Sequence, residues 1–234
     1  MINISFNDTY IAVVPEYVQP GSHKHNMLHV FFGNDELTIE TEAGVFSGKN
    51  LILDKNVRHK GPVGHCPLFL FVDSTSGFYE ILKNEYLKGK PCVAFDTEKA
   101  WQEDMSFPAL REWISSFFGQ EALLRRTSID ERISLLLSKI DSYRYNGAKV
   151  AEIATDFGYS ESYLTHLFKK ETHVSLKNYL LMKQFEYVWR RISVGDRITE
   201  TVMDAGFSTP SHFSDLCKKL TGISAMDVLK KADF

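Results

Sequence analysis

The sequence predicts a two-domain α+β chain: an antiparallel β-barrel over residues 1–95, a helical linker over 96–146, and an all-α region over 147–234 with two helix-turn-helix units. Three observations carry this expectation. As far as about residue 75 the chain consists of short β-branched and aromatic runs separated by turn residues. It then changes to apolar residues at three- and four-residue spacing, the mark of amphipathic helices. From Gly147 onward, one helical pattern is written twice.

The expected strands are YIAVVPEYV, MLHVFF, ELTIETEAGVF, NLILD and PLFLFV, with turns at PG (20–21), GND (33–35), SGKN (47–50) and GPVG (61–64). Short strands at this spacing suit an antiparallel sandwich or small barrel. SGFYEILKNEYLKG reads as a short helix. FPALREWISSFFG (107–119) reads as another, with Leu110, Ile114 and Phe117 on one face. Ser128, Ile129, Asp130 and Glu131 have the S-x-x-E pattern of a capping box. Ile129, Ile133, Leu136, Leu137 and Ile140 then form an apolar stripe, suited to packing within its own domain or against a second subunit.

Composition narrows the function classes. At 234 residues, 44% hydrophobic and 24% charged, the chain can bury a real core, and its formal charge of -3 gives no overall attraction to nucleic acid. Local asymmetry can hide inside that total. Cys66, Cys92 and Cys217 form no CxxC pair, which argues against a zinc knuckle or disulfide framework and for reduced thiols. MINISFNDTY lacks the charged and apolar regions of a secretory signal. The apolar run Leu68–Val72 is far short of the ~20 residues of a membrane helix. A cytoplasmic protein without membrane association is expected.

The repeat is the most informative feature. KVAEIATDFGYS (149–160) aligns without a gap with RITETVMDAGFS (197–208). The second copy then carries one extra residue, after which Leu164 stands opposite Phe213, Phe168 opposite Cys217, Lys169-Lys170 opposite Lys218-Lys219, and Ser175 opposite Ser224. Each copy predicts a short helix, a reversal on Gly158 or Gly206, and a second helix. Ser160 suits the N-cap of the second helix. In the other copy Thr209 takes that role, with Pro210 at the first helical position, so the turn absorbs the extra residue. A solenoid needs more copies, and LKNYLLMKQFEYVWRRI (176–192) between the repeats reads as a connecting helix.

The paired pattern I-A-x-x-x-G-Y-S…L-x-x-x-F-K-K and G-F-S…F-x-x-x-C-K-K-x-x-G-x-S resembles the AraC/XylS family of transcription regulators over residues 147–231. The resemblance implies that the second helix of each unit enters a major groove of double-stranded DNA. Base-reading candidates are Ser162, Thr165 and His166 in the first copy, and Ser211, Ser214 and Asp215 in the second. Tyr163 and His212 are candidate backbone contacts. Lys169, Lys170, Lys218 and Lys219 are phosphate candidates. Twelve Lys/Arg against eleven Asp/Glu over 148–234 make phosphate contacts few and localised. This chain departs from the family pattern at Thr201-Val202, which replaces an Ile-Ala pair, at His173, opposite Gly222, and at Asp215, opposite His166.

The other conspicuous stretch is GSHKHNMLH (21–29), where strand parity puts His23, His25, Met27 and His29 on one face. His59 and His65 follow in strand-adjacent segments. H-x-H entering a strand, with Gly33 and NLILDKNVRH behind it, resembles the cupin-like barrel that many AraC-family members use as a sensor. A metal-binding cupin ordinarily adds a glutamate after H-x-H, and His29 stands near that place. His23, His25, Met27, His29 and His59 are therefore the candidate effector-binding residues. The four histidines are candidate ligands for zinc, nickel, iron or copper. The expectation is a regulator, not an enzyme, with no required cofactor, although a divalent metal has a candidate site. Its expected partners are DNA, a small-molecule effector, RNA polymerase and a second copy of the chain. A metal-sensing or metal-dependent cupin is the alternative.

Overall fold

The computed structural model describes residues 3–14, 21–97, 106–124, 129–221 and 225. The chain divides into two compact units, one of Met1–Arg126 with Cys217–Asp233, which holds the strands and first helices, and the other of Thr127–Leu216 with Phe234.

In the first unit seven strands form one antiparallel sheet: β1 (Asn3–Phe6), β2 (Tyr10–Val14), β3 (Leu28–Thr41), β4 (Gly44–Leu53), β5 (His59–Val63), β6 (Leu68–Val72) and β7 (Cys92–Phe95). Their pairing order is β1-β2-β6-β3-β4-β7, with β5 branching onto β3. The described pairings do not close this path into a ring. MLHVFF and ELTIETEAGVF, expected as separate strands, divide differently: MLHVFF leads into ELTIET within the single strand β3, and the chain reverses at Glu42 and Ala43, inside the second expected strand, whose GVF opens β4. The GND segment between MLHVFF and ELTIET is absorbed as an irregularity between Phe32 and Leu37 rather than a reversal. SGKN, also expected as a turn, lies inside β4. A Cβ on Gly48 would meet the Ala94 Cβ at 2.6 Å, so this glycine marks close approach of β4 and β7. GPVG, the third misplaced turn, is mostly β5. Pro62 is tolerated there because β5 pairs along β3 alone, and a missing N–H costs no ladder bond on the other side. β1, β5 and β7 were not among the expected strands.

Strand alternation splits the apolar residues of the sheet. Leu28, Val30 and Phe32 of β3 join Ile52, Leu70 and Val72 in one cluster with the helices α1 (Gly77–Ile81) and α2 (Phe107–Phe118). Between them lies a π-helical turn over Leu82–Leu87. Leu110, Trp113, Ile114 and Phe118 of α2 are buried in that cluster, so this part of the segment read as a linker belongs to the sheet unit. Phe31, Leu37, Ile39, Leu51 and Leu53 form the cluster of the opposite face. His29 has the parity of Phe31 and shares that face.

The second unit contains α3 (Glu131–Asp141), α4 (Val150–Asp156), α5 (Glu161–Thr172), α6 (Leu176–Ser193), α7 (Ile198–Asp204) and the start of α8 (Pro210–Thr221). The cap of α3 is Asp130, whose side chain accepts from the Arg132 N–H. The expected capping box placed the start two residues earlier, and its Ser128 lies outside the described residues. Ile129, Ile133, Leu136, Leu137 and Ile140 are all buried. α3 packs on α5 and α6, so the apolar stripe is used inside the unit and does not face a second subunit. α6 is the central strut, packed against α3, α5 and α7. It also buries two charges: Lys183 meets Glu186 at 2.9 Å and Asp141 at 3.1 Å, while Arg190 reaches Glu186 at 2.8 Å.

Candidate nucleic-acid interface and histidine cluster

The two repeats fold into matching helix-turn-helix units, and their turns are the same in atomic detail. After α4, the Tyr159 N–H donates to the Ala154 carbonyl at 2.9 Å and the Gly158 N–H to Thr155 at 3.0 Å. After α7, the Phe207 N–H donates to Val202 at 3.1 Å and the Gly206 N–H to Met203 at 2.9 Å. This double bond pattern is the Schellman motif, which needs a left-handed residue at its centre. Gly158 and Gly206 supply it, with φ of 69° and 89°. The next helix is capped as expected in both copies. The Ser160 hydroxyl accepts from the Tyr163 N–H at 3.2 Å, and the Thr209 hydroxyl from the His212 N–H at 3.1 Å. Pro210 opens α8, so the extra residue is spent in the turn and the following face keeps its register.

That register decides which side chains are presented. Leu164, Phe168 and Phe213 are buried, while Ser162, Tyr163, His166, Lys169, Lys170, Ser211, His212, Asp215 and Lys218 are exposed. Thr165 and Ser214 are half-buried, and the Lys219 side chain lies outside the described residues. His166 Nδ1 is 2.9 Å from the Ser162 carbonyl. A carbonyl only accepts, so Nδ1 carries the proton, and in the neutral ring Nε2 is the acceptor. Thr165 donates its hydroxyl to Glu161 at 2.7 Å. His212 Nδ1 lies 3.2 Å from the Ser208 hydroxyl.

The departures from the repeat pattern are accommodated locally. Thr201 is buried, but its hydroxyl donates to the Arg197 carbonyl at 2.9 Å, so the polar atom is satisfied. His173 takes the left-handed conformation at the end of α5, with φ of 59°. Its counterpart Gly222 lies outside the described residues.

Two residues that sequence reasoning passed over, Arg132 and Glu171, hold the first helix-turn-helix unit to α3. Arg132 donates to the Tyr163 hydroxyl at 2.7 Å while pairing with Asp130 at 2.7 Å. Those bonds from Arg132 pull the Asp130 carboxyl down to about 2. The Asp130 N–H donates to Glu171 at 3.1 Å. No local spacing signals a link between positions 132 and 163.

In the sheet unit, four of the histidines meet. His23 and His59 form an isolated antiparallel bridge, exchanging backbone bonds of 3.0 and 2.9 Å. His25 is drawn in by the Asn56 N–H, which donates to its carbonyl at 2.6 Å. β3 begins only at Leu28, so tertiary pairing rather than strand parity gathers His23 and His25. Ring centroids stand 4.5 Å apart for His23–His25, 4.4 Å for His23–His59 and 4.2 Å for His25–His29. Phe31 stacks on His29 and Phe71 meets it edge-on. Met27 is buried, and the imidazoles meet one another without it. His65 is exposed and faces Asn34 instead. Burial is the largest cause lowering the pKa of each ring, to about 4 for His59 and well below the usual value for His25 and His29. The rings are therefore neutral at pH 7. The thiols of Cys66 and Cys92 are free, and burial raises both to about 12.

Residues 153–231 match the family described as a helix-turn-helix domain. An uncharacterized HTH-type transcriptional regulator from Pseudoalteromonas carrageenovora is 27% identical over 82 residues, 35% of this chain and 49% of that protein. The chain thus spans about half the length of this curated relative. Among solved structures, apo ToxT K231A from Vibrio cholerae superposes with a TM-score of 0.58 at 14% identity, covering 96% of this chain and 98% of that one. Wild-type ToxT from the same organism, bound to an unsaturated fatty acid, gives 0.54 at 15% identity, covering 95% of each chain. These likenesses support the fold: an antiparallel sheet region followed by a helical region with paired helix-turn-helix units. Among the described residues no helix is long and apolar enough to cross a membrane.

Proposed function

On the premise that its carboxy-terminal part is an AraC-type helix-turn-helix domain, we propose that this chain is a cytoplasmic, sequence-specific DNA-binding regulator of transcription and not an enzyme. The observation that carries the reading is the matched pair of Schellman turns and caps, which leaves equivalent faces of α5 and α8 exposed. The two helices enter successive major grooves about one helical turn, ~34 Å, apart.

The chemistry of those faces refines the reading. His166 offers Nε2 and Asp215 its carboxylate, and both are acceptors. Acceptors suit the exocyclic amino groups of cytosine and adenine in the major groove. Ser162, Thr165, Ser211 and Ser214 supply adaptable hydroxyls beside them. Lys169, Lys170, Lys218 and Lys219 contact phosphates, and Tyr163 and His212 the backbone. Other proposed partners are RNA polymerase, a second copy of the chain, and a small-molecule effector held by the sheet unit around His23, His25, Met27, His29 and His59. An effector shifts DNA affinity only by binding the competent and incompetent arrangements unequally.

The test is selection of duplex fragments by the purified full chain from a random pool, followed by sequencing. A bipartite motif with C or A at one position per half supports the proposal. Enrichment no better than random would end it.

A further inference from the structure

His29 is 2% exposed, and neither of its ring nitrogens has a hydrogen-bond partner. A buried polar group left this way is destabilising and calls for a reason, an ion among them. Its neighbours supply one. A nitrogen of His23, one of His25 and one of His59 lie within 4.8 Å of one another. His23 Nδ1 is 2.6 Å from the Gly21 carbonyl and His59 Nδ1 is 3.0 Å from the Val57 carbonyl. Because a carbonyl only accepts, both Nδ1 atoms are protonated, and both Nε2 lone pairs are left free. Backbone carbonyls holding Nδ1–H are the usual outer support of a metal-ligating histidine.

We infer that His23, His25, His29 and His59 form a binding site for one divalent late first-row transition-metal ion, with zinc(II) as the reference ion. A tetrahedral zinc–nitrogen site with bonds of about 2.0–2.1 Å places its nitrogens about 3.3 Å apart. For His23, His25 and His59 small ring rotations close the difference from 4.8 Å, and His23, the least buried, has room to make them; His29 joins as the fourth through its ring 4.2 Å from that of His25. An all-imidazole set with no carboxylate disfavours calcium and magnesium and suits zinc, nickel, cobalt or copper. Phe31 and Phe71 wall the site and raise the value of each metal–nitrogen bond by excluding water. These are the histidines given above to an effector, so the inference rests on that part of the reading and names the ion as what they hold; it stands independently of the DNA reading, since its occupancy is measured without DNA.

The experiment strips the purified full chain with a chelator, removes the chelator, and titrates with cobalt(II) and zinc(II). Cobalt is followed by visible absorption and zinc by competition with a chromophoric chelator. One equivalent is expected, with the intense visible cobalt bands of a low-coordinate nitrogen site. His25→Ala and His59→Ala each weaken zinc by about tenfold or more, and His65→Ala leaves it unchanged. His29→Phe suits the aromatic surroundings, so it keeps the fold by circular dichroism and urea midpoint while weakening zinc. Absence of stoichiometric binding by the wild-type chain overturns the site, whatever the variants do. So does a loss in His25→Ala and His59→Ala no larger than in His65→Ala. Full zinc affinity in a folded His29→Phe protein removes that residue from the ligand set.

Discussion

The two helix-turn-helix units share one backbone design and both rest on α6 through an aromatic ring, Phe168 on Tyr179 in the first and Phe213 on Phe185 and Trp189 in the second. Their further supports differ. The first adds polar links, from Arg132 to Tyr163 and from the Asp130 N–H to Glu171. The second adds more aromatic packing, with Phe207 against Phe213. The turns differ in the same way. A Cβ on Gly158 would meet nothing, so glycine is there for its backbone angle alone. A Cβ on Gly206 would overlap the Cα of Gly147 and stand 2.6 Å from its nitrogen, so this glycine also lets the second turn touch the loop before α4. Sequence duplication thus copied the local geometry, while the supports around each copy diverged.

That contrast can be broken at several points. The largest effect is expected for Phe213→Ala, which removes a fully buried ring and should cost about 3–5 kcal/mol in urea unfolding. Next comes the glycine pair. Gly158→Ala carries only the left-handed penalty, about 1–2 kcal/mol, whereas Gly206→Ala adds a backbone collision and should cost about 1–3 kcal/mol more. Equal losses for the two would show that the contact with Gly147 has no energetic weight.

Binding measurements separate the two reading faces. His166→Ala should cost roughly 1–3 kcal/mol on the selected duplex and blur one position, with little change on random DNA. Lys169→Ala should weaken all duplexes alike and lower the salt slope by about one. Asp215→Asn removes a charge that repels phosphate. It should raise affinity for every duplex and move the preference at its position toward adenine. Equal small losses on random DNA for His166→Ala and Lys169→Ala would dissolve the distinction between base and phosphate contacts. The smallest effect is expected for Tyr163→Phe, which removes one exposed hydrogen bond to Arg132 and should change the urea midpoint by less than about 1 kcal/mol equivalent.

Legibility in the sequence followed the range of the interactions. The repeat, Gly158 and Gly206, the Ser160 and Thr209 caps and Pro210 were all readable, because caps and Schellman turns are settled within six residues. Turn signals in the sheet were less reliable. GND, SGKN and GPVG contain turn-forming residues, yet β4 runs through SGKN and β5 through Gly61, Pro62 and Val63, because neighbouring strands supply the ladder bonds, while GND is carried inside β3 as a break in register between Phe32 and Leu37. The histidines were noticed for a reason that proved incomplete. Strand parity explains only His29, and His23 joins His59 through a bridge 36 residues away in sequence.

By itself the sequence determined the helical repeat, the residues that cap and turn it, and the polar face each second helix displays, since these depend on neighbours a few positions apart. Only the tertiary structure decided that α3 spends its apolar stripe inside the chain, that Gly206 must make room for Gly147, and that four imidazoles converge on one buried spot. Those outcomes depend on which distant segments pair and pack. The free energy of that choice is shared across whole strands and helices rather than carried by any short stretch of chain.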